Sequence, residues 1–230
     1  MQREENPFED ELVAQEWISS VEGEKGKVRD REIYPMLEAW SSEISGTIVE
    51  IGSGQGICSQ YLGSFFGQYI GIEPSQVLTN RAIELYGKNQ NRTFKEGNAY
   101  SLPIEDGTID GVFSVNVWFH LANLDNAAIE LARILKKGGV FNIITANPGS
   151  YEAWRNFFEH YTEEGKLISG KVNVPVNPLS RNDVYLHTMA EIKDSLENAG
   201  LTITETKSLG LISKYPNSPL FVSVQGIKSA

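Results

Sequence analysis

Short β-branched runs alternate along this chain with segments whose apolar residues recur every three or four positions. The β-branched runs at 47–51, 68–73, 93–97, 109–115 and 140–146 predict five strands. The run at 109–115 is apolar almost throughout, as a strand covered on both faces should be. Helical spacing predicts helices over 9–21 (Leu12, Val13, Glu16, Trp17, Ser20), 30–44 (Ile33, Leu37, Trp40, Ile44), 75–86, 123–135 and 188–199. Pro35 falls early in the second of these and marks either a kink or its true start. Gly46 and Gly200 close two helices, and Lys136, Lys137 and Gly138 suit the C-terminus of another. Two late strands follow, at 201–207 and 219–226.

Between 147 and about 180 the alternation stops. Trp154, Phe157, Phe158 and Tyr161 crowd one stretch, and Pro175 and Pro178 follow. An aromatic helix and a proline-containing loop fit that composition. No repeat and no low-complexity tract interrupts the chain.

An order of strand, helix, strand, helix, strand, loop, strand, helix, strand predicts an α/β fold. Its open, mostly parallel sheet is doubly wound, with right-handed connections. Ligands of such sheets bind beyond the carboxyl ends of the strands, at the point where the strand order reverses. The residues after the first four strands therefore matter most: Gly52–Gly56, Glu73, Asn98 and Asn116.

With 230 residues, 40% of them hydrophobic, the chain can bury one sizeable core. Its formal net charge of −10 disfavours nucleic acid and anionic membrane as partners. The densest basic stretch, Lys25, Lys27, Arg29 and Arg31, is interleaved with Glu22, Glu24, Asp30 and Glu32 and reads as a solvated face. One cysteine, Cys58, allows no intrachain disulfide, and His120, His160 and His187 lack metal-ligand spacing, so no metal is expected. The first eleven residues hold no apolar signal core, and no apolar run reaches membrane-spanning length. The expected location is cytoplasmic.

The chemistry concentrates in Thr47-Ile48-Val49-Glu50-Ile51-Gly52-Ser53-Gly54-Gln55-Gly56. A buried strand runs into a glycine turn that lets a ligand approach the backbone, and a helix start beyond it would favour an anionic group. A dinucleotide turn needs a third glycine where Ile57 stands, and a P-loop needs a Gly-Lys-Ser/Thr sequence that is absent.

The pattern Glu50-x-Gly52-x-Gly54-x-Gly56 resembles motif I of the class I S-adenosylmethionine-dependent methyltransferases. Further pieces follow in the family's order. Ile70-Gly71-Ile72-Glu73-Pro74-Ser75 is similar to the second-strand motif. Gly97-Asn98-Ala99, followed by residues 102–110, is similar to the adenine-binding turn and the strand after it. Phe119-His120-Leu121 and Glu130–Gly139 are similar to the family's next helix and the turn into strand five. The whole resembles its small-molecule type (methyltransferase domain 11 or 25) and covers about residues 47–146.

This resemblance implies a Rossmann-like sheet of seven strands with an antiparallel last strand. N-terminal helices (1–46) and an insertion after strand five (148–187) would form a cap on a methyltransferase domain at 47–230. It implies S-adenosylmethionine as cofactor and S-adenosylhomocysteine as product. Gly52, Ser53, Gly54 and Gly56 would admit the methionyl part. Glu50 would order the loop or meet the ammonium through water. Glu73, followed by Pro74, would take the ribose hydroxyls. Asn98 and the Ala99 N–H would read adenine, although many relatives carry an acid at 98, and a plain turn residue is the alternative there. Asn116 and Val117 would border the methyl group, and Trp118 would be core or pocket wall. Arg29 would pair with the cofactor carboxylate.

The acceptor is expected to be a small apolar molecule with an O, N or C nucleophile, attacked in line. His120 and His187 are the candidate bases or contacts, with helix-start packing as the alternative for His120. The Asn/Asp-Pro-Pro-Tyr/Phe signature of methyltransferases acting on DNA or protein amino groups is replaced by Asn116-Val117-Trp118-Phe119. No nucleic-acid or membrane partner is expected, and the protein would be a monomer or homodimer. Two other readings remain open: a cofactor-binding scaffold without turnover, and a nucleotide-dependent oxidoreductase.

Overall fold

The structure is a computed structural model, and it describes residues 10, 12–15, 28–63, 67–150, 170–172, 184–211 and 217–229. Seven strands form one sheet in the order β3-β2-β1-β4-β5-β9-β8. They are β1 (Thr47–Ile51), β2 (Gln68–Glu73), β3 (Arg92–Glu96), β4 (Ile109–Val115), β5 (Leu135–Ala146), β8 (Leu201–Leu209) and β9 (Phe221–Lys228). β1 to β5 run parallel, whereas β9 runs antiparallel to both β5 and β8. The expected seven strands and antiparallel last strand are both present. Two short strands, β6 (Gly170–Val172) and β7 (Val184–Leu186), form a separate antiparallel hairpin.

The chain winds outward from β1 to β3 and then returns to place β4 on the other side of β1. That reversal parts the connections above β1 and β4 and leaves a crevice at their carboxyl ends.

Helices cover both faces. α3 (Leu124–Ile134) and α4 (Met189–Asn198) pack on one side, where Leu131, Ile134 and Leu196 join Val112, Phe141, Ile143 and Val224 in a single core. α1 (Tyr34–Ser41) and α2 (Gln76–Tyr86) lie on the other, with Leu37 and Ala82 against Ile48, Tyr69, Phe94, Phe113 and Ile144. Burying each large aliphatic side chain contributes about 1.5–3 kcal/mol. Ser75 and Asn123 cap α2 and α3 through their side-chain oxygens, and Thr188 with Glu191 forms a capping box on α4.

Three local expectations differ in detail. The helix expected from residue 30 opens with a π-helical turn, Arg29–Ile33, and becomes α-helical only at Tyr34. Pro35 has no N–H, and the Tyr34 N–H reaches five residues back to the Arg29 carbonyl. Lys136–Gly138 do not end a helix. α3 stops at Ile134, Leu135 already pairs with Ile109, and the next pair in register is Gly111 with Val140. The intervening residues bulge outward with Gly138 at φ 75°, and Lys136 pairs with Asp110 at 2.7 Å. Beyond the glycine turn stands a 3₁₀ turn of five residues, Ile57–Tyr61, in place of a longer helix.

Of the N-terminal helix, residues 12–15 are helical, with Val13 and Ala14 buried. Trp17, the aromatic stretch Trp154–Tyr161, His160, Pro175 and Pro178 lie outside the described residues. Among the described residues no helix is long and apolar enough to cross a membrane.

Candidate functional site

β1 delivers its last residues straight into the crevice. The Gly52 and Ser53 N–H groups both donate to the Ile72 carbonyl, at 2.7 and 3.0 Å, and fasten the turn to β2. Gly52, Gly54 and Gly56 all have positive φ, at 71°, 53° and 81°. A side chain at Gly52 would collide with Val117, whereas one at Gly54 would meet only open space. Gly54 is thus the point at which bare backbone faces the crevice. The turn also curls over β2 and β3, where Gly71 leaves room for Ser53 and Phe94.

Glu73 ends β2 and grips both neighbouring segments. One carboxylate oxygen accepts from the Gly54 N–H at 2.9 Å and the other from the Ser75 N–H at 3.0 Å. The carboxylate thus joins the glycine turn to the start of the next helix. Pro74 is exposed beside it.

Asn98 and Ala99 form a tight turn after β3. The Asn98 side-chain oxygen accepts from the Tyr100 N–H at 2.9 Å, and its carbonyl accepts from Ser101 at 3.2 Å. This is the turn-forming arrangement, and it engages one lone pair of the side-chain oxygen. Ala99 is buried. Gly97 N–H donates to the Glu73 carbonyl at 3.1 Å and ties this turn to the acid.

The loop that follows is held by α3. Arg133 donates to the Leu102 and Ile104 carbonyls at 3.0 and 2.8 Å and pairs with Glu130 and Asp106, at 2.7 and 2.5 Å. Glu130 in turn accepts from the Leu102 N–H at 2.8 Å. The Arg133 hydrogen bonds hold the Glu130 carboxyl below its ordinary range.

Asn116 follows β4 at φ 60°, a left-handed conformation that asparagine adopts more readily than most residues. Its N–H donates to the Ile144 carbonyl at 2.8 Å. Its side-chain oxygen is buried and has no hydrogen-bond partner, and the Ser53 hydroxyl shares that condition. Val117 lies against Gly52 across the crevice. Trp118, 1% exposed, belongs to the core with Val49 and Leu124 and is no pocket wall.

The two histidines meet the same short segment. His120 lies against Phe119, with ring centroids 4.2 Å apart. His187 Nε2 stands 2.7 Å from the Leu121 carbonyl. A carbonyl only accepts, so Nε2 carries the hydrogen and Nδ1 is the basic nitrogen of the neutral ring. β7 lies beside the 3₁₀ turn Trp118–His120, so the end of the insertion reaches this edge of the sheet.

Behind the turn, Glu50 and Arg29 meet Tyr69 and Cys58, which the sequence pattern did not place at the site. Glu50 is 1% exposed. The Tyr69 hydroxyl donates to it at 2.5 Å, and Cys58 hydrogen-bonds it as well. Burial pushes the Glu50 carboxyl up to about 8, against the lowering effect of those two hydrogen bonds. Burial also raises the Cys58 thiol and the Tyr69 phenol well above their ordinary values. Arg29 hydrogen-bonds Tyr34 and lowers Glu50 through its charge. The structure thus sets Arg29 toward this cluster, and Glu50 below the turn.

A shallow cleft of about 320 Å³ at the opposite end of the sheet is lined by Trp40, Asp110, Lys136 and Val140 and shares no residue with the turn. Among the described residues, no group of three or more His, Cys, Asp or Glu could hold a metal ion.

A methyltransferase domain family matches residues 49–143, which run from the strand before the glycine turn to the middle of β5. These residues form a class I S-adenosylmethionine-dependent methyltransferase domain. An uncharacterized methyltransferase of Schizosaccharomyces pombe is 34% identical over 102 residues, covering 40% of this chain and 37% of the relative. The chloroplastic tocopherol O-methyltransferase of Arabidopsis thaliana is 34% identical over 102 residues, covering 43% of this chain and 29% of the relative. The chain therefore spans well under half of the length of these relatives. An S-adenosylmethionine-dependent methyltransferase structure from Mesorhizobium loti shares the fold, with a TM-score of 0.67 at 17% identity, over 84% of this chain and 96% of that one.

The cofactor of this methyltransferase domain is S-adenosylmethionine. The residues present fit it. Gly54 offers open space over bare backbone, Ser53 and Asn116 hold buried polar atoms without hydrogen-bond partners among the described residues, and Glu73 ends β2 beside the turn with its carboxylate on the Gly54 N–H.

Proposed function

We propose that this methyltransferase domain transfers a methyl group from S-adenosylmethionine to a small-molecule acceptor bound beside the turn after β4, at the edge that β7 reaches. The observation that carries the reading is the union of the glycine turn and Glu73 through the Gly54 N–H, at the reversal point of the sheet. When bound, the cofactor supplies an electrophilic methyl group on a sulfonium. The chain supplies binding, alignment and exclusion of water.

In this reading Gly52, Ser53, Gly54 and Gly56 border the methionyl part, and Glu73 with Pro74 accepts the ribose hydroxyls. Ala99 contributes its backbone to adenine. Asn98 serves chiefly to shape that turn, because Tyr100 already engages its oxygen. Asn116 and Val117 face the reacting end. His187 Nδ1 is the stronger candidate for accepting a proton from an acceptor hydroxyl, since Nε2 is committed to Leu121. His120 lines the same edge. Glu50 acts from behind the turn, and Arg29 acts with it instead of meeting the cofactor carboxylate.

The negative charge of the chain and the acceptor named for the Arabidopsis relative support a small, uncharged molecule. The test is methyl transfer from isotopically labelled S-adenosylmethionine to a panel of phenols, amines and prenylated quinols. Label should pass to at least one small molecule, and His187→Ala should slow turnover more for hydroxyl acceptors. Transfer only to protein or nucleic acid would overturn the reading.

A further inference from the structure

The cluster behind the glycine turn does more than fill the core. We propose that Tyr69 is a positioning residue for the cofactor site, holding the glycine turn in its binding shape through Glu50. The proposal rests on the cofactor reading above.

Glu50 precedes Gly52 by two residues, and Cys58 follows Gly56 by two. Both ends of the turn thus converge on one carboxyl group. That carboxyl is buried, and its oxygen-based donor is the Tyr69 hydroxyl at 2.5 Å. Tyr69 itself is fully buried in β2, its ring edge-on to Phe94 at 5.6 Å between centroids. Phe94 is the wall on which Gly56 rests. One rigid aromatic therefore sets both the carboxyl and the floor of the turn. The register adds to this: Ile48 pairs with Tyr69 and Glu50 with Gly71, so Tyr69 and the partner of Glu50 lie two residues apart on one face of β2.

Titratable groups from three packed elements act on Glu50. They are Tyr69 from β2, Cys58 from the 3₁₀ turn, Glu73 from the end of β2 and Arg29 from the π-helical turn. Arg92 of β3 faces Tyr69. A hydroxyl that donates to a carboxyl favours its ionised form, and so does a cationic ligand nearby. Affinity for the cationic cofactor should therefore climb as Glu50 gives up its proton to solvent.

The experiment is calorimetric titration with S-adenosylmethionine across neutral and mildly alkaline pH. The chains compared are the wild type, Tyr69→Phe and Glu50→Gln. Tyr69→Phe keeps the ring and removes only the hydroxyl. At mildly alkaline pH, where Glu50 is ionised in the wild type, its affinity should fall roughly tenfold, the loss of one hydrogen bond to a charged group. Its climb with pH should move to higher pH. Glu50→Gln should lack the protein's share of that climb and retain only the titration of the ligand's own amino group. A merely structural tyrosine would lower thermal stability and leave the pH profile in place. Wild-type binding with an unchanged profile in both variants overturns the proposal alone. No binding by wild type at any pH overturns the cofactor reading, and this proposal with it. Should Tyr69→Phe not fold, the Glu50→Gln profile decides.

Discussion

Glu50 occupies a strand position where the fold would ordinarily bury an aliphatic side chain, and it is buried there as a carboxyl. Removal from water disfavours its charged form, so the folded chain holds a proton that the unfolded chain has already released. The sign follows directly. The Glu50 value in the fold, about 8, lies above its ordinary 4.5. Its contribution to stability is complete below the ordinary value and is lost as pH rises through about 8. Thermal unfolding should therefore show wild type losing stability relative to Glu50→Gln as pH rises from about 4.5 to about 8. Parallel curves for the two would show that Glu50 does not titrate in that window. Asn116 makes a second residue-level point. A left-handed backbone and a buried side-chain oxygen without a hydrogen-bond partner among the described residues are local costs of the kind that cluster at functional sites, in keeping with the role proposed for Asn116.

Between elements, the loop after β3 is held mainly by α3, through contacts distant in sequence. Arg133 reaches two loop carbonyls and two acids from the C-terminal end of the helix, and Glu130 adds a bond to the Leu102 N–H, so residues 102–106 are held by this pair. Arg133→Met would remove the Arg133 donor from the Ile104 carbonyl, leave the Leu102 carbonyl with the Ile104 N–H alone of its two donors, and should cost about 1–3 kcal/mol of stability by chemical denaturation. Hydrogen exchange should rise first in residues 100–108. A variant as stable as wild type would show the network to be dispensable.

The same comparison explains what could be read from the chain alone. β2 and β4 have the spans that their β-branched content predicts, because each is a local pattern ended by its own turn chemistry. The short 3₁₀ turn after Gly56 could not be read that way. Arg92 captures the Ser59 carbonyl with two donors, at 3.2 and 2.9 Å, across 33 residues, and no local pattern carries that contact. Tyr69 and Cys58 escaped notice for a similar reason. Each reads as a plain core residue until the sheet register sets it beside Glu50. Asn98 was visible as a turn residue, but its bond to Tyr100 depends on the turn's own geometry.

Across the whole molecule, one sheet edge gathers the last residues of β1, β2, β3 and β4, with two helices on each face fixing their spacing. The glycine turn is tied to β2 through Ile72 and Glu73, β2 to the β3 turn through Gly97, and β4 to the glycine turn through Val117. This run of contacts from the β3 turn to β4 preorganises the crevice, and preorganisation is what lets a few hydrogen bonds yield affinity. The most direct test is isothermal titration calorimetry of the wild-type chain with S-adenosylmethionine, S-adenosylhomocysteine and NAD, repeated for Glu73→Ala. The two sulfur-containing ligands should bind saturably and NAD should not, and Glu73→Ala should weaken binding by about 1–3 kcal/mol. Failure of S-adenosylmethionine and S-adenosylhomocysteine to bind the wild type, or equal binding of NAD, would contradict the assignment of the crevice.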